Sequence, residues 1–240
     1  VEGGTAEQLT FGPYYDTEPV FSPDGTRVAF VSDRDGSESN VFVLELARGE
    51  ITQVTREPRA DRPTWTPDGQ AIVYLRFVPE AAHYWRSNWG PIPSLVRRVA
   101  LRGSEPETLS APPREIRSLF YLPDGRLAWT VLKREPKSAR VTTRIEVMSP
   151  QGSVSTLRLL EGIGDRVVAS PTGEGLYCRR VLPLYRQVAP EHLLLLPLPE
   201  GGEQFIIPVS GSGGGWGAGR WQPLVRFPLG FPRWIAEFSP

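Results

Sequence analysis

Apolar and polar positions repeat along the chain in one recurring pattern. A short apolar run leads into a proline-centred turn, and a second run of β-branched and aromatic residues follows, as in "PVFSPDGTRVAFVS" at residues 19–32. Related stretches begin at Arg62 ("RPTWTPDGQAIVYLRF"), Ser118 ("SLFYLPDGRLAWTVL") and Val167 ("VVASPTGEGLYCRRV"). Pro presets φ for the first corner of a tight turn, Asp bonds its own backbone, and Gly accepts a positive φ. Each copy therefore predicts a β-hairpin.

Two more strand-like segments, joined by a glycine-centred turn, follow each hairpin, as in "NVFVLELARGEITQVT" from Asn40. The turn prolines Pro23, Pro67, Pro123 and Pro171 lie 44, 56 and 48 residues apart. Four strands per unit at a period of roughly 40–50 residues is typical of a propeller blade. No segment keeps apolar residues at helical spacing for three turns, which argues against helices. The prediction is an all-β protein of four-stranded antiparallel blades.

The first unit carries the most specific motif. "FSPDGTRVAFVSDRDGSESNVFVLEL", at residues 21–46, resembles the repeat of the TolB-like β-propeller family. The third unit departs from it at Leu122, which replaces Ser, and the fourth at Thr172 and Gly173, which replace Asp-Gly. The resemblance extends over roughly residues 3–208, at the repeat length expected of blades. It implies a β-propeller with about four complete blades and partial blades at both ends, as in a segment of a six-bladed propeller.

The two ends of the chain fit the same interpretation. "GGTAEQLTFG", from Gly3, is similar to "GEITQVTRE", from Gly49, and predicts the outermost strand of a preceding blade. Residues 210–233 are irregular and rich in Gly, Trp and Pro, and "WIAEFSP" at residues 234–240 looks like an innermost strand. We therefore expect residues 1–240 to form one TolB-like propeller domain that is a segment of a longer chain.

Residues suited to catalysis or metal binding are few. The chain has two histidines, His83 and His192, and one cysteine, Cys178, with no Gly-x-Ser-x-Gly elbow and no chelating spacing. "VSGSGGG" lacks the end of a phosphate loop, and "DRDGSESN" resembles a calcium loop but has Leu44 where the twelfth-position Glu belongs. We expect no catalytic residue, no cofactor and no metal.

Charge and hydropathy narrow the class of partner. The 27 basic and 27 acidic residues give no sign of a nucleic-acid partner. No window approaches the roughly 18 uninterrupted apolar residues of a membrane helix, so we expect no membrane insertion. The partner that we expect is therefore a protein, a peptide or an adjacent catalytic domain.

Two places are candidates for binding. The insertion "FVPEAAHYWRSNWGPIPS", residues 77–94, lengthens the second unit with the aromatic and arginine side chains typical of interfaces. The alternative is that these rings fold over the propeller's own surface as a lid. The second place is the start of each unit, which the family resemblance puts at the mouth of a central channel. Its charges either select a charged peptide terminus or are ordinary solvated turn residues. The candidate residues are Tyr15, Asp16, Glu18, Asp61, Arg62, Arg117 and Arg166 at the mouth, with His83, Tyr84, Trp85, Arg86 and Trp89 in the insertion.

Three functions follow from the family resemblance. The first is a non-catalytic propeller that binds a protein or peptide, as TolB-like proteins of the bacterial cell envelope do, which implies a periplasmic or otherwise extracytoplasmic location. The second is the accessory or gating propeller of a larger hydrolase, of the prolyl oligopeptidase, tricorn or amidohydrolase type, with its catalytic residues elsewhere. The third is a self-sufficient enzyme, which the scarcity of catalytic residues disfavours.

Overall fold

A computed structural model of the chain describes residues 7–36, 38–57, 59–78, 93–101, 105–134, 141–170, 173–181, 191–198 and 204–209. Every regular element in these ranges is a β-strand. The strands are β1 (Thr17–Phe21), β2 (Arg27–Ser32), β3 (Asn40–Glu45), β4 (Glu50–Gln53), β5 (Ala60–Trp65), β6 (Ala71–Phe77), β7 (Pro93–Ala100), β8 (Glu107–Tyr121), β9 (Leu127–Arg134), β10 (Val141–Met148), β11 (Val154–Glu161), β12 (Ile163–Ala169), β13 (Gly175–Val181), β14 (Glu191–Pro197) and β15 (Gln204–Val209).

Consecutive strands pair antiparallel in sequence order. β1–β4 form one four-stranded sheet, β5–β11 a seven-stranded sheet, and β12–β15 a second four-stranded sheet. The large sheet contains two units because β8 pairs with β7 through residues 107–115 and with β9 through residues 116–121. The described strands thus form four antiparallel four-stranded units, numbered 1 to 4 from the N-terminus. The all-β propeller fold is confirmed, while the blade number of the whole propeller stays a prediction.

The hairpin turns form as their sequences predict. In unit 1 the N–H of Gly25 donates to the carbonyl of Ser22 at 2.9 Å, and Gly25 has a φ of 71°. The side chain of Asp24 accepts hydrogen bonds from the hydroxyl of Ser22 and the N–H of Thr26. These bonds, with that from the Ser22 hydroxyl the strongest, lower the pKa of Asp24 to about 2. Equivalent Gly-to-carbonyl bonds close the turns of the other units, at Gly69, Gly125 and Gly173.

The core consists of layers between neighbouring units. Successive side chains of a strand point to opposite faces of its sheet, so each unit has a leading face toward the preceding unit and a trailing face toward the next. The layer between units 1 and 2 combines the trailing residues Ala29, Val41 and Val43 with the leading residues Trp65, Ile72, Tyr74 and Val99. The next two layers are built in the same way. Val73, Leu75 and Val96 meet Ile116, Leu127, Trp129 and Val131, and Phe120, Ala128, Ile145 and Val147 meet Val167, Leu176, Cys178 and Leu196.

Candidate functional site

The first strand of every unit has an irregularity at the same place. The pairing register shifts between Thr17 and Val20 in β1, Asp61 and Thr64 in β5, Ile116 and Ser118 in β8, and Asp165 and Val168 in β12. Such β-bulges leave one extra residue unpaired and redirect its side chain. The skipped positions include one charged residue per unit. We call these four residues the bulge ring: Glu18, Arg62, Arg117 and Arg166.

Three members of the bulge ring have a backbone conformation that is rare for residues with a side chain. Glu18, Arg62 and Arg166 have φ angles of 49°, 50° and 48°, in the left-handed region. Such conformations cost about 1–3 kcal/mol each and persist where the surrounding structure imposes them, often at ligand sites. The recurrence of the same angle in three units shows that the bulge is a built feature of the first strand.

Contacts across the ring join residues of different units. Nη2 of Arg166 in unit 4 lies 3.7 Å from Oε1 of Glu18 in unit 1. Nη1 of Arg62 in unit 2 donates a hydrogen bond of 2.7 Å to the carbonyl of Arg117 in unit 3. The four side chains remain 27% to 42% exposed, so they meet where solvent reaches them.

Two further carboxylates, Asp61 and Glu115, lie beside arginines of the bulge ring. Asp61 lies 3.9 Å from Nε of Arg62. Burial raises the pKa of Asp61, and the charge of Glu18 raises it further, whereas Arg62 and Arg166 lower it. Glu115 is paired with Arg117, whose Nε donates to it at 3.1 Å. The site therefore mixes three guanidinium groups with three carboxylates, and two of its ion pairs are longer than a hydrogen bond.

The candidate residues separate into three groups in the structure. Glu18, Asp61, Arg62, Arg117 and Arg166 come together around the bulges. Tyr15 and Asp16 precede β1, and the exposed Tyr15 donates its backbone N–H to Asp33 at 2.9 Å. The insertion residues His83, Tyr84, Trp85, Arg86 and Trp89 lie outside the described residues.

Asp16 has a structural partner in Arg34. Nη2 of Arg34 donates to both carboxylate oxygens of Asp16, at 3.0 and 2.9 Å. Burial acts to raise the pKa of Asp16, but hydrogen bonds from Ser32 and Arg34 leave it lowered. The Arg34 guanidinium also lies over the ring of Phe30 at 4.8 Å. The "SDRDG" motif thus supplies a clamp that fixes the segment before β1, a role that turn propensity alone does not reveal.

Sequence reasoning also missed Glu115 as a member of the site. Glu115 stands two positions before Arg117 on β8, and the bulge at Arg117 brings the two side chains into contact. The sequence gives no signal for this contact, because the bulge interrupts the alternation of side chains. In the ranges that the structure describes, no group of three or more His, Cys, Asp or Glu is arranged to hold a metal ion. Within the same ranges, no helix is long and apolar enough to cross a membrane.

Comparison with known proteins supports the repeat assignment. Residues 1–86 match the family model described as TolB beta propeller domain. A 77-residue stretch is 40% identical to dipeptidyl-peptidase 5 of Porphyromonas gingivalis, covering 30% of this chain and 11% of that protein. A 76-residue stretch is 38% identical to the TolB homolog of Chlorobium luteolum, covering 32% and 17%. The resemblance to TolB-like propeller repeats is confirmed.

The fold comparison extends over most of the chain. The crystal structure of TolB from Acinetobacter baumannii superposes with a TM-score of 0.63 at 15% identity, over 83% of this chain and 45% of that one. At this identity the likeness concerns the fold alone. The chain spans less than a third of the length of the curated relatives that it matches, and about half of the TolB structure.

Proposed function

Because TolB-type propeller repeats run along this chain, we propose that it is a non-catalytic scaffold that binds a protein or peptide segment at the bulge ring. The convergence of one charged residue from each of four units carries this proposal. Loops and strand ends held by a rigid scaffold are where binding residues concentrate.

The ring suits a charged, flexible ligand. Arg166 and Glu18 lie 3.7 Å apart, and Arg62 and Asp61 3.9 Å, so neither pair has the close geometry of a strong ion pair. A ligand carboxylate or ammonium group therefore competes with a weak internal partner at partly exposed sites. Complementary charge favours selection of the partner and fast association more than raw affinity. We assign the ring to a charged peptide terminus or to a charged segment of a partner protein.

The aromatic insertion is proposed as a second contact region. β6 ends at Phe77 and β7 begins at Pro93, so the connection between them contains Trp85 and Trp89. Ala60 pairs with Arg76, which places the start of β5 beside the end of β6. The connection thus leaves the sheet at the edge where Asp61 and Arg62 lie. Tryptophan and arginine dominate the energetics of interfaces, which supports a role in partner binding.

A peptide selection experiment tests the proposal. Linear peptides displayed on phage are selected on the immobilised chain, and a labelled selected peptide is titrated by fluorescence anisotropy. We expect Arg62→Gln and Arg166→Gln each to weaken binding on the order of tenfold, because each removes one charge from the ring. Arg48→Gln, in the exposed β3–β4 turn at the opposite end of the unit 1 sheet from Glu18, is the matched control and should bind like the wild type. Failure to select any peptide, or binding that is insensitive to both ring variants, contradicts the proposal.

The second candidate is an accessory propeller of a larger hydrolase. The 40% identity to part of a dipeptidyl-peptidase favours it. In that case the domain organisation is one propeller, residues 1–240, next to a catalytic domain that residues outside this chain provide. Sequencing the flanking gene distinguishes the candidates, since a Gly-x-Ser-x-Gly elbow would identify a hydrolase. A peptidase assay on the chain alone should give no turnover above background under either proposal.

The likeness to TolB also supports an extracytoplasmic, periplasmic location. Cell fractionation followed by immunoblotting checks this location, and recovery in the cytoplasmic fraction contradicts it.

A further inference from the structure

The bulge ring exposes more arginine than carboxylate. The bulge positions of units 2, 3 and 4 are all arginines, and unit 1 alone has an acid there, Glu18. The arginine side chains are 27%, 31% and 42% exposed, for Arg62, Arg117 and Arg166 in that order, and Glu18 is 31% exposed. A ligand that reaches the ring therefore meets three guanidinium groups and one carboxylate.

The two further carboxylates of the site are held by neighbouring donors. Glu115 is only 8% exposed and is paired with Arg117. Asp61 occupies a paired position of β5, opposite Leu75, and its Oδ1 accepts the N–H of Arg62 at 2.8 Å. Burial is the main reason that the pKa of Asp61 is raised, because the charged form loses water there. Both carboxylates are thus less available to a ligand than the residues of the ring.

Two of the arginines are placed to act on one ligand group. Nη1 of Arg62 donates to the carbonyl of Arg117, which orients the guanidinium group and uses one of its five N–H donors. The charges of Arg62 and Arg166 both act to lower the pKa of Asp61, so both lie near the same carboxylate. A carboxylate accepts charge-assisted hydrogen bonds from such planar groups, often two from one guanidinium. An ammonium group finds only Glu18 as an acceptor within the ring, and three like charges repel it.

We propose that the bulge ring selects a carboxylate of its peptide ligand and not an ammonium group. This inference rests on the proposed peptide binding and names the chemistry that the ring takes. The carboxylate belongs either to the C-terminus of the partner or to an Asp or Glu side chain within a segment, and both sources present the same two oxygens to Arg62 and Arg166. Glu18 is then an internal competitor, since its Oε1 lies 3.7 Å from Nη2 of Arg166.

Four pools of hexapeptides built from uncharged residues test which group the ring takes. The first pool has acetylated N-termini and free C-terminal carboxylates. The second has both ends blocked and one Glu at its third position. The third has free N-terminal ammonium groups and C-terminal amides, and the fourth has both ends blocked and no charge. Each pool is passed over the immobilised chain, and mass spectrometry measures the retained fraction.

We expect the first or the second pool to be retained on the order of tenfold more than the third and the fourth. Stronger retention of the first assigns the carboxylate to a C-terminus, and stronger retention of the second assigns it to an acidic side chain. Preferential retention of the ammonium pool, or equal retention of all four, overturns the inference and leaves the proposed peptide binding in place. Retention of no pool contradicts the peptide binding itself, and the inference fails with it.

Variants of the ring give a second readout, the sign of the change in affinity. A labelled peptide from the better retained carboxylate pool is titrated by fluorescence anisotropy. Glu18→Gln should strengthen binding roughly threefold, because it removes a weak internal competitor, whereas Arg166→Gln should weaken binding on the order of tenfold. Glu50→Gln, which changes an exposed carboxylate at the start of β4, is the matched control and should bind like the wild type. Weaker binding in Glu18→Gln, with an unchanged circular dichroism spectrum, overturns the inference, because Glu18 would then be an acceptor for the ligand.

Discussion

Two buried threonines provide an internal comparison of hydrogen-bonded and unbonded hydroxyls. Thr55 and Thr130 are both fully buried. Oγ1 of Thr55 accepts the N–H of Val41 at 2.8 Å and donates to Oδ1 of Asn40 at 2.8 Å. Oγ1 of Thr130 has no hydrogen-bond partner among the residues that the structure describes. Replacing each with Val keeps the shape and removes the hydroxyl, so the two variants should change stability in opposite directions.

The magnitudes follow from the groups left behind. Thr55→Val leaves a buried N–H and a buried amide oxygen without this partner, and each such group costs about 1–3 kcal/mol. We expect a total loss of about 2–4 kcal/mol in the free energy of unfolding, a drop in melting temperature on the order of 5–10 °C for a chain of this size. Thr130→Val removes a polar group that lacks compensation and should raise the free energy of unfolding by up to about 1 kcal/mol.

Urea titrations followed by tryptophan fluorescence measure both variants against the wild type, and thermal melts by circular dichroism repeat the comparison. If the slope of the free energy of unfolding against urea concentration is the same as in the wild type, a shift of the midpoint reports a change in stability. Equal losses in the two variants would refute the reasoning, because burial alone, and not hydrogen bonding, would then set the cost. A neutral Thr55→Val would refute it as well.

Three further predictions concern charge and backbone conformation. Glu146→Gln should lower the free energy of unfolding by about 1–3 kcal/mol in urea titrations, since Arg114 and Trp129 donate hydrogen bonds to this buried carboxylate. Glu107→Gln, which changes an exposed ion pair, should cost less than about 1 kcal/mol. Equal costs for the two variants contradict this. Gly25→Ala should cost about 1–2 kcal/mol in thermal melts through its positive φ alone, because nothing lies within 4 Å of an added Cβ, and a neutral result is the contrary outcome. The lowered pKa of Asp24 means that its contribution is present above the unfolded value near 4 and lost as pH falls toward about 2. The raised pKa of Asp61 means that its contribution is present at low pH and lost as pH rises through the raised value. Urea midpoints measured from acid to neutral pH should lose the pH dependence due to Asp24 in Asp24→Asn, and that due to Asp61 in Asp61→Asn. A variant with the same pH profile as the wild type contradicts the contribution assigned to that residue.

Local sequence determined the strands and their turns. The Ser-Pro-Asp-Gly hairpin of unit 1 forms from contacts within six residues, such as the bonds of Ser22 with Gly25 and Arg27, so its chemistry is visible in the sequence. The continuous apolar run Val28–Val31 in "RVAFVS" likewise indicates a strand that is buried on both faces. Because the turn and strand patterns recur four times along the chain, the sequence also predicts four units, each with its own hairpin.

Only the tertiary structure decided which residues meet between units. The sequence placed charged residues at the start of each unit, but the approach of Arg166 to Glu18 depends on how four separate sheets are arranged. Asp16 pairs with Arg34 of the β2–β3 turn, a contact that the sequence does not show; its place at the channel mouth stays a prediction. Phe21 and Trp65 occupy the same position of the repeat, yet Trp65 is buried against Val20 and Arg27 of unit 1 whereas Phe21 is exposed. Hydrogen bonds of a turn are set by adjacent residues, whereas burial and ion pairing depend on neighbours that the packing of whole units supplies.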